Sequence, residues 1–378
     1  MIPLSIPHLS GNEWNYVKEC LDTGWVSSAG AFVERFESEV AKYVESPYAI
    51  AAINGTGALH IALQLMDVQQ GDYVIVPDLT FVASCNAIRY TGADPLLMDI
   101  DPETWQLDLD LLENFLQEQT IRNQDGTCRF RRDDRIIRAI MPVHVLGNMV
   151  DMHRLMALAR KHGLAVVEDA TEALGSTCQG QHAGTFGDMG CFSFNGNKII
   201  TTGGGGMIVT NDQKLAKRAK HLTTQAKVST EEYIHDEIGY NYRLVNILAA
   251  IGVAQMEQLP SFVLHKQEMD AYYRRHLAGV GDIEFQQISS GISSNGWLFT
   301  VRTRRMRELL HFLNEQGVQS RPFWMPMHQL PMFASSPYIQ TGNQADQVYQ
   351  TALSIPSSTQ LQETDWARVV ETIRSFFN

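Results

Sequence analysis

Through the first two-thirds of the chain, short runs rich in valine and isoleucine alternate with stretches of helical periodicity. This alternation limits the fold more than any other feature, because strands buried on both faces need helices to cover them. The pattern predicts strands over 73–76, 95–99, 139–144, 164–169 and 207–210, and helices over 57–66, 81–90 and 151–162. The expected architecture is α/β, with a mainly parallel central sheet flanked by helices and ligands bound beyond the carboxyl ends of the strands. After Leu259-Pro260 the rhythm changes, and a polar helix over 261–277 leads into a region with fewer βαβ units. The expected division is a large domain over 1–258 and a smaller C-terminal α+β domain over 259–378. A charged segment at about 122–138 interrupts the large domain, and its Asp125-Gly126 pair favours a hairpin, though a solvated loop fits the charge mixture equally.

Composition narrows the function classes. The 378 residues are enough for two domains, and a formal net charge of -12 leaves no basic stripe for nucleic acid. The five cysteines (Cys20, Cys85, Cys128, Cys178 and Cys191) are scattered and form no CxxC pair, which fits a reducing cytoplasm and gives no metal signature. Neither a signal-peptide pattern nor a membrane-length apolar run is present in the sequence, so a cytoplasmic protein without a membrane partner is expected.

Four local features carry chemistry. Lysine is absent between Lys42 and Lys161, yet Lys198 stands in Ser193-Phe194-Asn195-Gly196-Asn197-Lys198, with no carboxylate near it in sequence and four glycines (203–206) soon after. An unprotonated lysine forms a Schiff base with a carbonyl. Asp169 ends a hydrophobic strand, where it either faces the ligand crevice or caps the next helix. Its neighbour Glu168 points to the opposite face. Gly55-Thr56-Gly57 opens a helix, and glycines around a threonine there make a phosphate cradle that the Ser193 hydroxyl can join. Phe81, just past a strand end, offers a ring to stack on a flat ligand, and also suits the core. Together an amine, a carboxylate for a pyridine nitrogen, a phosphate cradle and a stacking ring are what pyridoxal 5'-phosphate (PLP) requires. The glycine tract is expected to turn the backbone tightly into the strand over 207–210.

On these residues the chain resembles the DegT/DnrJ/StrS-type PLP-dependent nucleotide-sugar aminotransferases over essentially its whole length. The resemblance also runs through Gly24-Trp25-Val26-Ser27-Ser28, Gly239-Tyr240-Asn241-Tyr242-Arg243 and Arg321-Pro322-Phe323-Trp324-Met325-Pro326-Met327-His328. It implies a fold-type I aminotransferase that works as a homodimer with shared active sites, Lys198 and Asp169 being catalytic. Asn241 and Arg243 would reach into the partner's site. Trp324, His328 and Arg243 are the candidate substrate contacts. Glu172 falls among the cofactor contacts at a position where relatives carry His or Gln, and relatives often have Glu near Gly204. Within the family the chain is most similar to the 4-aminotransferases of legionaminic acid and bacillosamine biosynthesis, on Ile6-Pro7-His8-Leu9-Ser10-Gly11-Asn12-Glu13-Trp14, the inserted hairpin and the Lys198 segment.

That likeness implies transfer of the amino group of L-glutamate to C4 of UDP-2-acetamido-2,6-dideoxy-hexos-4-ulose, giving UDP-4-amino-4,6-dideoxy-N-acetylglucosamine. Perosamine-type enzymes acting on GDP-linked 4-keto-6-deoxy sugars share much of the pattern. The nucleotide, the C4 configuration and the 2-acetamido group therefore stay open. A PLP-dependent sugar dehydratase, a non-catalytic regulator on the same fold and a plain amino-acid aminotransferase are the other readings. Lys198 counts against the dehydratase.

Overall fold

The structure, a computed structural model, describes every residue except Asp125 and Thr230. Its central sheet runs in the order Tyr48–Ala52, Gly206–Thr210, Met189–Ser193, Ala165–Asp169, Ile136–Ile140, Tyr73–Pro77, Asp94–Met98, Tyr338–Ile339. All pairings from Met189–Ser193 onward are parallel, whereas Gly206–Thr210 runs antiparallel to both its neighbours. Every residue of Tyr73–Pro77 and of Gly206–Thr210 is buried, which is why these strands read as unbroken apolar runs. One face is covered by Ala31–Tyr43, Leu109–Glu118, Met152–His162 and Asn246–Met256, with Phe36, Phe115, Leu155 and Val253 in that core. The other carries Gly55–Leu65, Ala83–Tyr90 and Gln213–Thr223. The helix Gly55–Leu65 is buried almost all round, so its sequence lacks a polar face. A third core, built on Tyr273, Val301, Leu309 and Val370, lies with a four-stranded antiparallel sheet in the C-terminal part, and Ile2 joins it.

Three sequence expectations need adjusting, and one is met. The strand expected over 139–144 is Ile136–Ile140, and beyond it only Val143 bridges Asp169. Pro142 has no N–H for a ladder, and Leu146 and Gly147 both adopt positive φ, which turns the chain away. The hairpin expected in the charged insertion is present: Thr120–Arg122 pairs antiparallel with Cys128–Phe130, which in turn pairs with Ile136–Ile140. Of the turn pair proposed there, Asp125 lies outside the described residues. Leu259-Pro260 opens the helix Leu259–Leu277 instead of preceding it, since proline is tolerated in a first turn. Finally, Tyr338–Ile339 returns from the C-terminal region to pair with Asp94–Met98 in the central sheet. Among the described residues no single helix is long and apolar enough to cross a membrane.

Candidate active site

Strand order brings the chemistry to one place. Gly206 is paired with Ser193 on one side and with Ala52 on the other, so the loop into the helix Gly55–Leu65 lies beside the end of Met189–Ser193. A Cβ on Gly206 would stand 2.4 Å from the Asn54 carbonyl oxygen, and one on Gly55 would stand 2.9 Å from Ser193 Cβ. Asn54 caps the helix by accepting from the Gly57 amide at 2.7 Å. The Gly55 and Thr56 amides, at the positive end of the helix, donate to no acceptor among the described residues. They line a cavity of about 450 Å³ with Ser193, Asp169, Glu172 and Lys198.

Asp169 closes the floor. Its Oδ2 accepts from Ser84 Oγ at 2.7 Å and its Oδ1 from the Thr171 amide at 3.2 Å, while Ser84 is in turn bonded to Thr80 at 2.9 Å. The carboxylate is buried but fixed by neutral donors, which leaves its charge for a ligand. Glu168 turns the other way: its two oxygens accept from the amides of Gly184, Phe186 and Gly187 and bond His144 Nε2 at 3.0 Å.

Lys198 overturns one expectation. It has no acidic neighbour in sequence, but its Nζ is 3.6 Å from Glu172 Oε1 and 4.3 Å from the centroid of the Trp297 ring. Glu172 is 26 residues away, and the turn after Asp169 delivers it. Burial pushes the Glu172 carboxyl up to about 7, against the opposing pull of Lys198 and of the Leu146 amide, which donates to Oε2 at 2.9 Å.

Phe81, half-exposed, and Trp324 flank the cavity with their ring centroids 6.1 Å apart, and Phe323, Arg321 and Leu4 complete its lining. Four of the sequence candidates lie outside this lining: Gly57, whose amide is taken by Asn54, His328, Asn241 and Arg243. The His328 ring is held by Asp78, Nδ1 to Oδ2 at 2.6 Å, and stacks on Tyr338 at 4.4 Å. That hydrogen bond raises the His328 pKa above its ordinary value. Asn241 is exposed, with its backbone bridged to Thr224, and the Arg243 backbone bridges Ala52. Ser84, Trp297 and Arg321 were missed by the sequence reading. Thr80 and Ser84, four residues apart just past a strand end, were the available signal for the first, and Trp297 follows a small polar turn (293–296) with no periodicity around it.

These residues fit PLP. A Cβ on Gly55 would crowd Ser193, so glycine lets the Ser193 hydroxyl close on the helix start, and Gly55, Thr56 and Ser193 line one cavity with the amine and the carboxylate. Residues 7–374 match the DegT/DnrJ/EryC1/StrS aminotransferase family. The GDP-perosamine synthase of Escherichia coli O157:H7 is 38% identical over 380 residues, covering 100% of this chain and 99% of its own. That of Caulobacter vibrioides is 38% identical over 383 residues, covering 98% and 97%. The crystal structure of S. venezuelae DesV in complex with a ketimine intermediate superposes with a TM-score of 0.87 at 30% identity, over 97% of this chain and 94% of that one.

Proposed function

This chain belongs to the DegT/DnrJ/EryC1/StrS aminotransferase family and is a PLP-dependent sugar aminotransferase, and we propose that it aminates C4 of a nucleotide-linked 4-keto-6-deoxy sugar with L-glutamate as donor. The observation that carries this reading is the shared cavity: the Lys198 amine, the Asp169 carboxylate and the helix start at Gly55 and Thr56 line one space.

When bound there, PLP supplies an electron sink for charge developing on carbon. Gly55, Thr56 and Ser193 hold its phosphate through amides and hydroxyls. Asp169, fixed by Ser84 and Thr171, pairs with the pyridine nitrogen and keeps it protonated. Glu172 borders the lysine end of the same space. Lys198 anchors the cofactor. In the first half of the reaction its amine takes the α-proton of glutamate, and in the second it delivers a proton to C4 of the sugar. Phe81 and Trp324 present ring faces that exclude water, and Arg321 sets a positive charge at the mouth, where an anionic nucleotide enters.

The enzyme works as a homodimer in the cytoplasm. Support for the dimer comes from exposed apolar side chains beside Asn241 and Arg243, notably Tyr233 at 91% and Ile238 at 84% exposure, which a second copy would cover. Asn241 and Arg243 then serve the partner's site. The five cysteines are all unpaired, in keeping with a reducing compartment.

The nucleotide we assign is UDP, on a sugar with a 2-acetamido group, from the likeness of the 6–14, hairpin and 193–198 segments to such enzymes. A second reading, a GDP-linked sugar, is favoured by the two GDP-perosamine synthases at 38% identity. A panel of UDP- and GDP-linked 4-keto-6-deoxy sugars, with 2-oxoglutarate release and product configuration followed, separates the two. If glutamate bleaches the bound cofactor but no keto sugar restores it, the sugar assignment is wrong.

A further inference from the structure

Glu172 has an environment that a merely structural carboxylate does not need. Each oxygen of the nearby Glu168 has two partners. Glu172 has one, the Leu146 amide at Oε2, and its Oε1 faces only Lys198. The chain is bent to make that single contact. Leu146 sits at φ 63°, ψ 17°, a left-handed conformation costly for a branched side chain, and this conformation aims its N–H at the carboxyl. Asn295 locks the arrangement from behind. Its Nδ2 donates to the Glu172 and Leu174 carbonyls at 2.8 and 2.9 Å, and its Oδ1 lies where a side chain on Gly147 would go. The carboxyl is therefore held in place with Oε1 turned toward the amine.

Opposing influences act on the Glu172 carboxyl. Lys198 favours an ionised Glu172, while Asp169 on the adjoining strand end and the loss of water oppose it. The Trp297 ring, fixed by its Nε1 bond to the Asn197 carbonyl at 2.7 Å, lies against the amine, its centroid 4.3 Å from Nζ. Lys198 Nζ and Glu172 Oε1 are 3.6 Å apart, just beyond hydrogen-bond length and within the swing of a lysine side chain.

We propose that Glu172 is the proton partner of Lys198, taking a proton from Nζ onto Oε1 to free the amine and returning it later in the cycle. The exchange turns an ammonium and a carboxylate into an amine and a carboxylic acid. No other bond changes, and the net charge of the pair is conserved. The inference rests on the aminotransferase reading above and adds a catalytic residue to it.

The test uses the cofactor-loaded enzyme and glutamate alone, so it does not depend on the sugar. In E172Q the amide can still accept from Leu146, but it neither carries charge nor takes a proton. The pH midpoint of the visible absorbance should fall by about one unit, because the negative charge favouring the protonated chromophore is gone. The single-turnover rate with glutamate should fall roughly a hundredfold, with the glutamate dissociation constant unchanged. E172D keeps the acid one methylene further away and should recover part of both effects. It also carries the test if E172Q does not fold. An unchanged midpoint and rate in E172Q, or equal effects in E172D and E172Q, would overturn the proposal. A wild-type enzyme whose absorbance ignores glutamate would instead count against the aminotransferase reading itself.

Discussion

Replacing Gly206 by alanine probes the joint on which the site is built. The added Cβ would lie 2.4 Å from the Asn54 oxygen, 2.5 Å from the Asn54 carbonyl carbon and 2.8 Å from the Gly55 nitrogen. Ordinary non-bonded separation is about 3.5 Å, so the overlap approaches about 1 Å, and every atom met is backbone. No rotamer change relieves it. Gly206 is held by strands on both sides, so the loop 54–56 must give way. Overpacking of this kind costs about 1–3 kcal/mol, and the rigid partners put this case at the upper end. The displaced amides are the ones assigned to the cofactor phosphate. Losing one charge-assisted hydrogen bond, about 1.5–3 kcal/mol, weakens PLP binding about 10- to 100-fold. Gly204 supplies the control: its φ is not positive, and a Cβ there meets nothing within 4 Å. Absorbance titration of the cofactor-free proteins with PLP, together with thermal melts, reads both effects. G206A should lose stability and affinity while G204A keeps both. Equal, near wild-type affinities would refute the placement of the helix start beside Ser193.

Other perturbations test the remaining groups. D169N should still bind PLP, since Lys198 and the helix start are untouched, but its single-turnover rate with glutamate should drop about 10²- to 10³-fold. In cofactor-free protein, Glu172 is raised from 4.5 to about 7, so the folded state holds a proton that the unfolded chain releases, and stability falls as pH rises through that window. At about 1.4 kcal/mol per pH unit the loss is about 3 kcal/mol, and denaturant titrations of E172Q between these pH values should show it abolished. The His328 pKa is raised above 6.5 by Asp78. That contribution is fully present below 6.5 and fades as pH climbs through the raised value, so wild type should lose its melting-temperature advantage over H328Q on going to mildly alkaline pH.

The parts of the site that could be read in the sequence are those set by local rules. Asp169 followed from the strand-end rule, and Gly55 and Thr56 from the free donors of a helix start, whereas the Gly57 amide goes to Asn54. The sheet was legible because strands covered on both faces leave continuous Val and Ile runs. What could not be read depends on long-range contact. Glu172 and Lys198 are separated by three strands and their turns, and nothing local announces that Leu146 will adopt positive φ and aim its amide at the carboxyl. Trp297 and Arg321 lie in segments of the C-terminal region whose short strands carry too few residues for periodicity to register. The departure at Pro142 was available from chemistry alone, since a proline inside an assumed central strand argues against it.

Lys198 is the residue proposed to anchor the cofactor. Borohydride reduction of the PLP-loaded protein, followed by proteolysis and mass spectrometry, reads this directly. The account predicts a pyridoxyl group on the peptide that contains Lys198 and no such label in Lys198→Ala. A label on another lysine, or an unlabelled wild-type protein that had taken up PLP, would contradict it.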